Sequence, residues 1–143
     1  MARIDIFDFP DELFYDRKEH LWIRPMGDGV VTLGIDAGGQ DALGDVVYLQ
    51  LGEAGRRVAS GEAVGTIEAE KMVRPLIAPV SGTLREVNTA LAAAPRAINK
   101  DPYGSWLYRI ETSHWESEKA RFVHGAVAVS AWVGEEIESH RKP

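Results

Sequence analysis

A chain of 143 residues, 45% hydrophobic and 27% charged, is the right size for one compact domain with a core of its own. Its formal net charge of -6, with no run of lysine or arginine, excludes the basic surface that nucleic acid or an anionic membrane would need. The absence of cysteine excludes a disulfide framework, a thiolate metal site and a cysteine nucleophile.

The start, Met1 to Pro10, has no basic segment leading into a long apolar run, and no later stretch approaches bilayer length, so the chain reads as cytoplasmic. Pro10–Arg17, acidic after a proline, predicts a short helical turn. From Lys18 to Ile110, short apolar stretches, several of them alternating, are punctuated by glycine, proline and acidic residues, which predicts an all-β core. Strands are expected near His20–Arg24, Val30–Ile35, Val46–Leu51, Ala63–Ile67, Val73–Ile77, Gly82–Val87 and Trp106–Ile110. Asp28 and Gly29 tolerate positive φ and supply a tight turn between the first two, so the core begins as a meander. Gly61 and Gly65 bracket the start of the Ala63–Ile67 strand, and Pro79, Ser81 and Gly82 punctuate the run beyond Lys71. Pro75 cannot donate a backbone hydrogen bond, which puts its strand at a sheet edge or a bulge.

Thr89–Pro95 predicts a second short helical segment. From Ser113 to His140, Val129, Trp132, Val133 and Ile137 recur at helical spacing and offer one face to the β core, while Gly125 and Gly134 argue against a single unbroken helix. The expectation is one mainly β domain over residues 1–143, with its core over about residues 15–112, a helical C-terminal extension over 113–143, and peripheral helices at both ends. Four histidines, His20, His114, His124 and His140, lack the paired spacing of a metal site.

Lys71 falls at the tip of the hairpin between the Ala63–Ile67 and Val73–Ile77 strands. A primary amine projected from a tight, rigid turn is what a covalent carrier needs, because a ligating enzyme can reach it and the acylated side chain becomes an uncharged tether. Tethering turns each encounter with a client enzyme into a local search at high effective concentration. An independent enzyme is disfavoured: the sequence has no glycine-rich phosphate loop, no nucleophile elbow and no base–nucleophile pairing by motif, so no catalytic residue is assigned.

Glu19, His20 and Trp22; Ala42 through Tyr48; Glu68 and Lys71; Ala78 through Gly82; Val87, Asn88 and Leu91; Asn99, Asp101, Pro102 and Tyr103; and Trp106 with Leu107 follow one another in an order that resembles the H protein family of the glycine cleavage system. The resemblance covers roughly residues 15–111. It implies a lipoyl-domain fold, a barrel-sandwich hybrid, and a non-catalytic carrier with lipoate amide-linked to Lys71. The partners implied are lipoylating enzymes and glycine cleavage enzymes. The hairpin departs from the usual family pattern of Glu, Ser, Val, Lys, Ala: Ala69 and Glu70 precede Lys71, Met72 follows it, and Arg74 and Pro75 stand where serine and aspartate are usual. Glu68, Glu70, Met72 and Arg74 are therefore candidates for recognition by a different ligase or client, with a Glu70–Arg74 ion pair as the plainer alternative.

An altered hairpin and an extended tail also resemble the lipoate-binding proteins that serve a sulfur-oxidising heterodisulfide-reductase-like complex, and this subtype is the leading expectation, ahead of the aminomethyl carrier of glycine cleavage. Trp115, Phe122 and Trp132 either dock such a partner or close the core. A biotinyl carrier, whose lysine is usually flanked by methionines, is matched by Met72 and broken by Glu70. An unmodified interaction protein is the remaining alternative.

Overall fold

The computed structural model describes the backbone of residues 2–4 and 7–141 and the side chains of residues 8–136. The expected packing of Ile137 and the setting of His140 lie outside the described side chains. In chain order the strands are β1 (Ala2–Ile4), β2 (Phe7–Phe9), β3 (Phe14–Asp16), β4 (Leu21–Pro25), β5 (Val30–Ile35), β6 (Val46–Leu51), β7 (Arg57–Val58), β8 (Ala63–Ala69), β9 (Val73–Ile77), β10 (Gly82–Val87), β11 (Trp106–Glu111) and β12 (Val123–His124). The helices are α1 (Ala37–Leu43), α2 (Thr89–Ala93), α3 (Ala97–Lys100), α4 (Trp115–Glu118) and α5 (Ala126–Arg141), with a 3-10 turn over Lys119–Arg121.

Among the described residues, the strands form an antiparallel β1–β2 pair, a seven-stranded sheet in the order β12-β3-β4-β5-β11-β10-β7, and a three-stranded sheet in the order β6-β8-β9. The two larger sheets share a core of Leu21, Ile23, Leu33, Leu49, Ile67, Leu84, Tyr108 and Ile110, all almost fully buried. Each aliphatic side chain so buried contributes about 1.5–3 kcal/mol. Tyr108 ties the layers together: its hydroxyl donates to the Val64 carbonyl at 2.6 Å and accepts from the Gly52 N–H at 3.0 Å. Burial raises its phenol pKa. A second cluster joins Phe9, Leu13, Tyr15, Trp22, Val129, Trp132 and Val133 beneath α5.

The seven expected strands form, β8 running two residues further and β11 one. The expected N-terminal helix does not. Leu13 and Tyr15 are both fully buried with half-buried Phe14 between them, an alternation of period two, and Phe14 to Asp16 pair with β4 as β3. The Tyr15 hydroxyl then donates to the Pro10 carbonyl at 2.7 Å, so the proline anchors a turn into a strand. The extension is also less helical than expected. β12 pairs with β3 before α5 begins, Gly125 at φ 92° precedes that helix, and Gly134 sits inside it without breaking it.

Candidate functional site

Ala69 donates its N–H to the Met72 carbonyl at 2.9 Å, so Glu70 and Lys71 form the tip of the β8–β9 hairpin. β9 is an edge strand of its sheet, in keeping with Pro75, which lies opposite Thr66. The tip does not stand free. Glu70 N–H donates to the Asp45 carbonyl at 2.8 Å, and Lys71 N–H donates to the Leu43 carbonyl at 3.0 Å. Both acceptors belong to the segment that carries α1 into β6. Gly44 between them has φ 76° and ψ -157°, a region open to glycine alone, and a Cβ there would lie 2.8 Å from Glu70 Oε1 and 3.2 Å from Lys71 Cγ. The backbone conformation is what demands glycine here, and its missing side chain leaves room for those of Glu70 and Lys71 beside the loop.

Asn99 fixes the loop from below. Its Oδ1 accepts from Val46 N–H at 2.9 Å, and its Nδ2 donates to the Gly44 carbonyl at 2.7 Å and to Gln40 Oε1 at 3.1 Å. Lys71 itself is exposed, its Nζ donating to the Asp41 carbonyl at 3.2 Å near the C-terminal end of α1. The geometry thus combines a backbone clamped at both sides of the tip with a primary amine open to solvent. An acyl group can be placed on such an amine without disturbing any buried contact, so the site fits an amide-linked prosthetic group.

A family model described as Glycine cleavage H-protein matches residues 13–132. The chain belongs to the glycine cleavage H-protein family. It is 47% identical over 107 residues to the glycine cleavage system H protein of Mycobacterium avium, covering 74% of this chain and 80% of that one. Against the H protein of Thermus thermophilus the identity is 48% over 105 residues, covering 73% and 80%. The crystal structure of a glycine cleavage system H protein from Mycobacterium marinum superposes with a TM-score of 0.74 at 36% identity, covering 90% of this chain and 98% of the other. The barrel-sandwich expectation is thus met by the fold of the H proteins, with a C-terminal helix and without the N-terminal one.

Within this H-protein fold the expected recognition residues separate. Glu68 and Glu70 are exposed beside Lys71, and Met72 is 42% exposed. Arg74 turns the other way. It stands opposite Ile67, which stands opposite Leu49, so it occupies the inward row of the sheet. There its Nη2 donates to the Glu19 carbonyl at 2.7 Å, Nε is buried without a partner, and burial lowers its pKa. The Glu70–Arg74 ion pair therefore does not form, because the two side chains leave the hairpin on different sides.

The tail aromatics close the core: Trp132 is 3% exposed against Phe9 and Tyr15, while Trp115 and Phe122 pack on the main cluster. The family match runs on to Trp132, so most of the extension is ordinary for an H protein and does not mark a subtype. Leu43, Gly44, Asp45 and Asn99 enter the sequence reading only as parts of the resemblance, and Asp41 does not enter it. Their role at the hairpin escapes the sequence because Asp41, Leu43, Gly44 and Asp45 act through backbone groups and Asn99 acts through a side chain at long sequence range; the signal available was a glycine between two acids ahead of a strand. Among the described residues no group of three metal-ligating side chains converges, and no helix is long and apolar enough to cross a membrane.

Proposed function

We propose that this protein is a non-catalytic carrier bearing lipoate in amide linkage on Lys71, and that it serves the enzymes of glycine cleavage as the carrier of an aminomethyl group. The observation that supports this most is the exposed Nζ of Lys71 on a clamped hairpin tip in a chain of the H-protein family. The lipoyl dithiol supplies reversible thiol chemistry for holding the cargo. The chain's own residues do the rest: Gly44, Asn99 and the α1–β6 carbonyls hold the tip rigid, so the flexible part begins at the lysine side chain.

A second reading assigns the same dithiol to sulfur transfer with a heterodisulfide-reductase-like complex. It rests on Glu70, Arg74 and Pro75, where the hairpin departs from the usual family pattern. The relatives named above carry glycine-cleavage names and the tail lies largely inside the family match, so the glycine-cleavage reading leads.

Digestion of the protein from its native host, with mass analysis of the peptide containing Lys71, is expected to show a lipoyl adduct on that residue. The lipoylated chain is then expected to support glycine-dependent carbon dioxide exchange by glycine decarboxylase, and the Lys71→Arg chain to support none. A biotinyl mass, or an unmodified lysine in cells that lipoylate other proteins, overturns the carrier assignment. Lipoylation without exchange, where another H protein gives exchange, moves the assignment to the sulfur reading.

A further inference from the structure

We infer that the outer face of the β6–β8–β9 sheet is the platform on which a lipoylating enzyme seats itself to reach Lys71. This rests on the carrier reading above. Tyr48 stands opposite Glu68, and Glu68 opposite Val73; residues directly opposite share a face, so the three form one row across the sheet. Tyr48 is 52% exposed and Val73 63%, and Glu68 lies open between them.

A departure from regular pairing creates this surface. With Val46 fully buried, strict alternation would expose Val47 and bury Tyr48. A register shift between Val46 and Tyr48 resets the phase, so Val47, 61% exposed, and Tyr48 face water together before Leu49 returns to the core. The fold therefore forgoes burial of an aromatic ring beside the hairpin. Of the six large hydrophobic side chains exposed among the described residues, Met72 and Val73 lie on the hairpin that carries Lys71 and Val47 and Tyr48 on β6 paired beside it, whereas Met26 and Val127 belong to other elements. Scattered exposure is normal for single side chains, whereas a cluster marks a contact surface, and tyrosine is favoured as an anchor there. Exposed Glu68 and Glu70 border the cluster, while Asp45 beside it is paired with Arg96 at 3.4 Å, so the complementary partner has an apolar recess with basic residues at the Glu68–Glu70 side.

The occupant follows from the chemistry. Client enzymes meet the far end of a long flexible arm, but the enzyme that makes the amide must bring its catalytic atoms to Nζ itself. From a lipoyl adenylate, the neutral Nζ attacks the acyl carbon; the C–N bond forms, the acyl–phosphate bond breaks, AMP leaves and Nζ gives up one proton. An interface of standard size covers about 800 Å² on each partner, a disc of roughly 16 Å radius, so an enzyme enclosing Nζ covers the Tyr48–Glu68–Val73 row.

The test uses the unmodified full chain, a purified lipoate–protein ligase, lipoate and ATP. It measures the initial rate of mass gain on the Lys71 peptide against chain concentration, and the Kd of chain for ligase without ATP. Tyr48→Ser and Val73→Ser are each expected to raise both KM and Kd about tenfold, the size of an anchor's loss, with kcat changed less than twofold. Tyr48→Phe is expected to restore most of the affinity, and Val127→Ser on α5 to behave as wild type; unchanged thermal midpoints confirm that the variants are folded. If the wild type is lipoylated and both serine variants stay within about twofold of it, the platform is overturned while the carrier reading stands. The same holds if lipoylation is unchanged and only turnover with glycine decarboxylase falls, since the face then belongs to a client. A wild-type chain that gains no mass from a ligase active on another lipoyl domain overturns both.

Discussion

Among the described residues other than glycine, His20 alone takes a positive φ, 56°. Its backbone explains why: the N–H donates to the Asp16 carbonyl at 2.9 Å and the carbonyl accepts from Asp36 N–H at 3.0 Å, which together close the turn into β4. The imidazole lies half-buried between Asp36 and Trp132, with Nδ1 3.6 Å from Asp36 Oδ1. That distance is long for a hydrogen bond, so the fully buried carboxylate acts on the ring chiefly through its charge. The Asp36 side chain raises the imidazole pKa above 6.5, Glu136 adds to it, and burial and Arg74 oppose it. A folded-state pKa above the unfolded value means that the protonated ring stabilises the fold. This stabilisation is complete below pH 6.5 and is lost as the pH rises through the raised folded value. Urea unfolding is therefore expected to give a lower midpoint at about pH 8 than at about pH 6, and His20→Asn, which tolerates the same backbone, is expected to remove that difference. A midpoint that rises with pH in the wild type alone would reverse the sign argued here.

At the scale of elements, what the sequence made legible was the apolar runs with clear breaks. β5, β6, β9 and β10 begin and end where those runs and their glycine and proline breaks place them; β9 and β10 keep one face on the core and one toward water, whereas β5 is buried along nearly its whole length. α1 was illegible for the opposite reason. Its Gly38 and Gly39 argue against a helix, yet Asp36 caps it by accepting from Gly39 N–H at 2.8 Å, and a Cβ at Gly39 would lie 2.9 Å from Ile35 and 3.0 Å from His20. Close packing selects glycine there and the cap supplies the start. The position of Lys71 was legible from the hairpin. The support under it was not, because a side chain such as Asn99 that serves two backbone partners 53 and 55 residues away leaves no local pattern. Asn99→Ala deletes those bonds and the one to Gln40, and leaves the Val46 N–H and Gly44 carbonyl without their partner. A loss of about 1–3 kcal/mol is expected in denaturant unfolding. Hydrogen exchange is the sharper measure: the Glu70 and Lys71 amides, which depend on the loop Asn99 holds, are expected to lose protection before the β4–β5 amides do. Equal loss across both regions would mean that Asn99 acts on global stability and not on the hairpin.

At the scale of the whole molecule, the core of the described residues falls into two clusters, one of which lies under the hairpin. The sheet-to-sheet core supports β8 and β9, whereas Trp132 and its neighbours pin α5 onto Phe9, Tyr15 and His20 at the other end of the seven-stranded sheet. Phe14, stacked on His124 at 3.8 Å and met edge-on by Trp115 at 4.9 Å, packs instead on the sheet-to-sheet core, so the first part of the tail closes that cluster. The tail is thus wall, not antenna, for the part that is buried. Truncating Trp132 to alanine removes a large ring from a closed site and is expected to cost about 3–5 kcal/mol. For a chain of this length that lowers the thermal midpoint by roughly 10–17 °C, and a domain of ordinary stability remains folded at room temperature. Because Lys71 rests on the other cluster, the rate of its lipoylation at about 25 °C is expected to stay within about twofold of wild type. The two readouts together separate a structural tail from a docking tail. A lowered midpoint with unchanged modification places α5 in the scaffold, while an unchanged midpoint with slowed modification would put Trp132 in contact with the modifying enzyme and contradict its burial here.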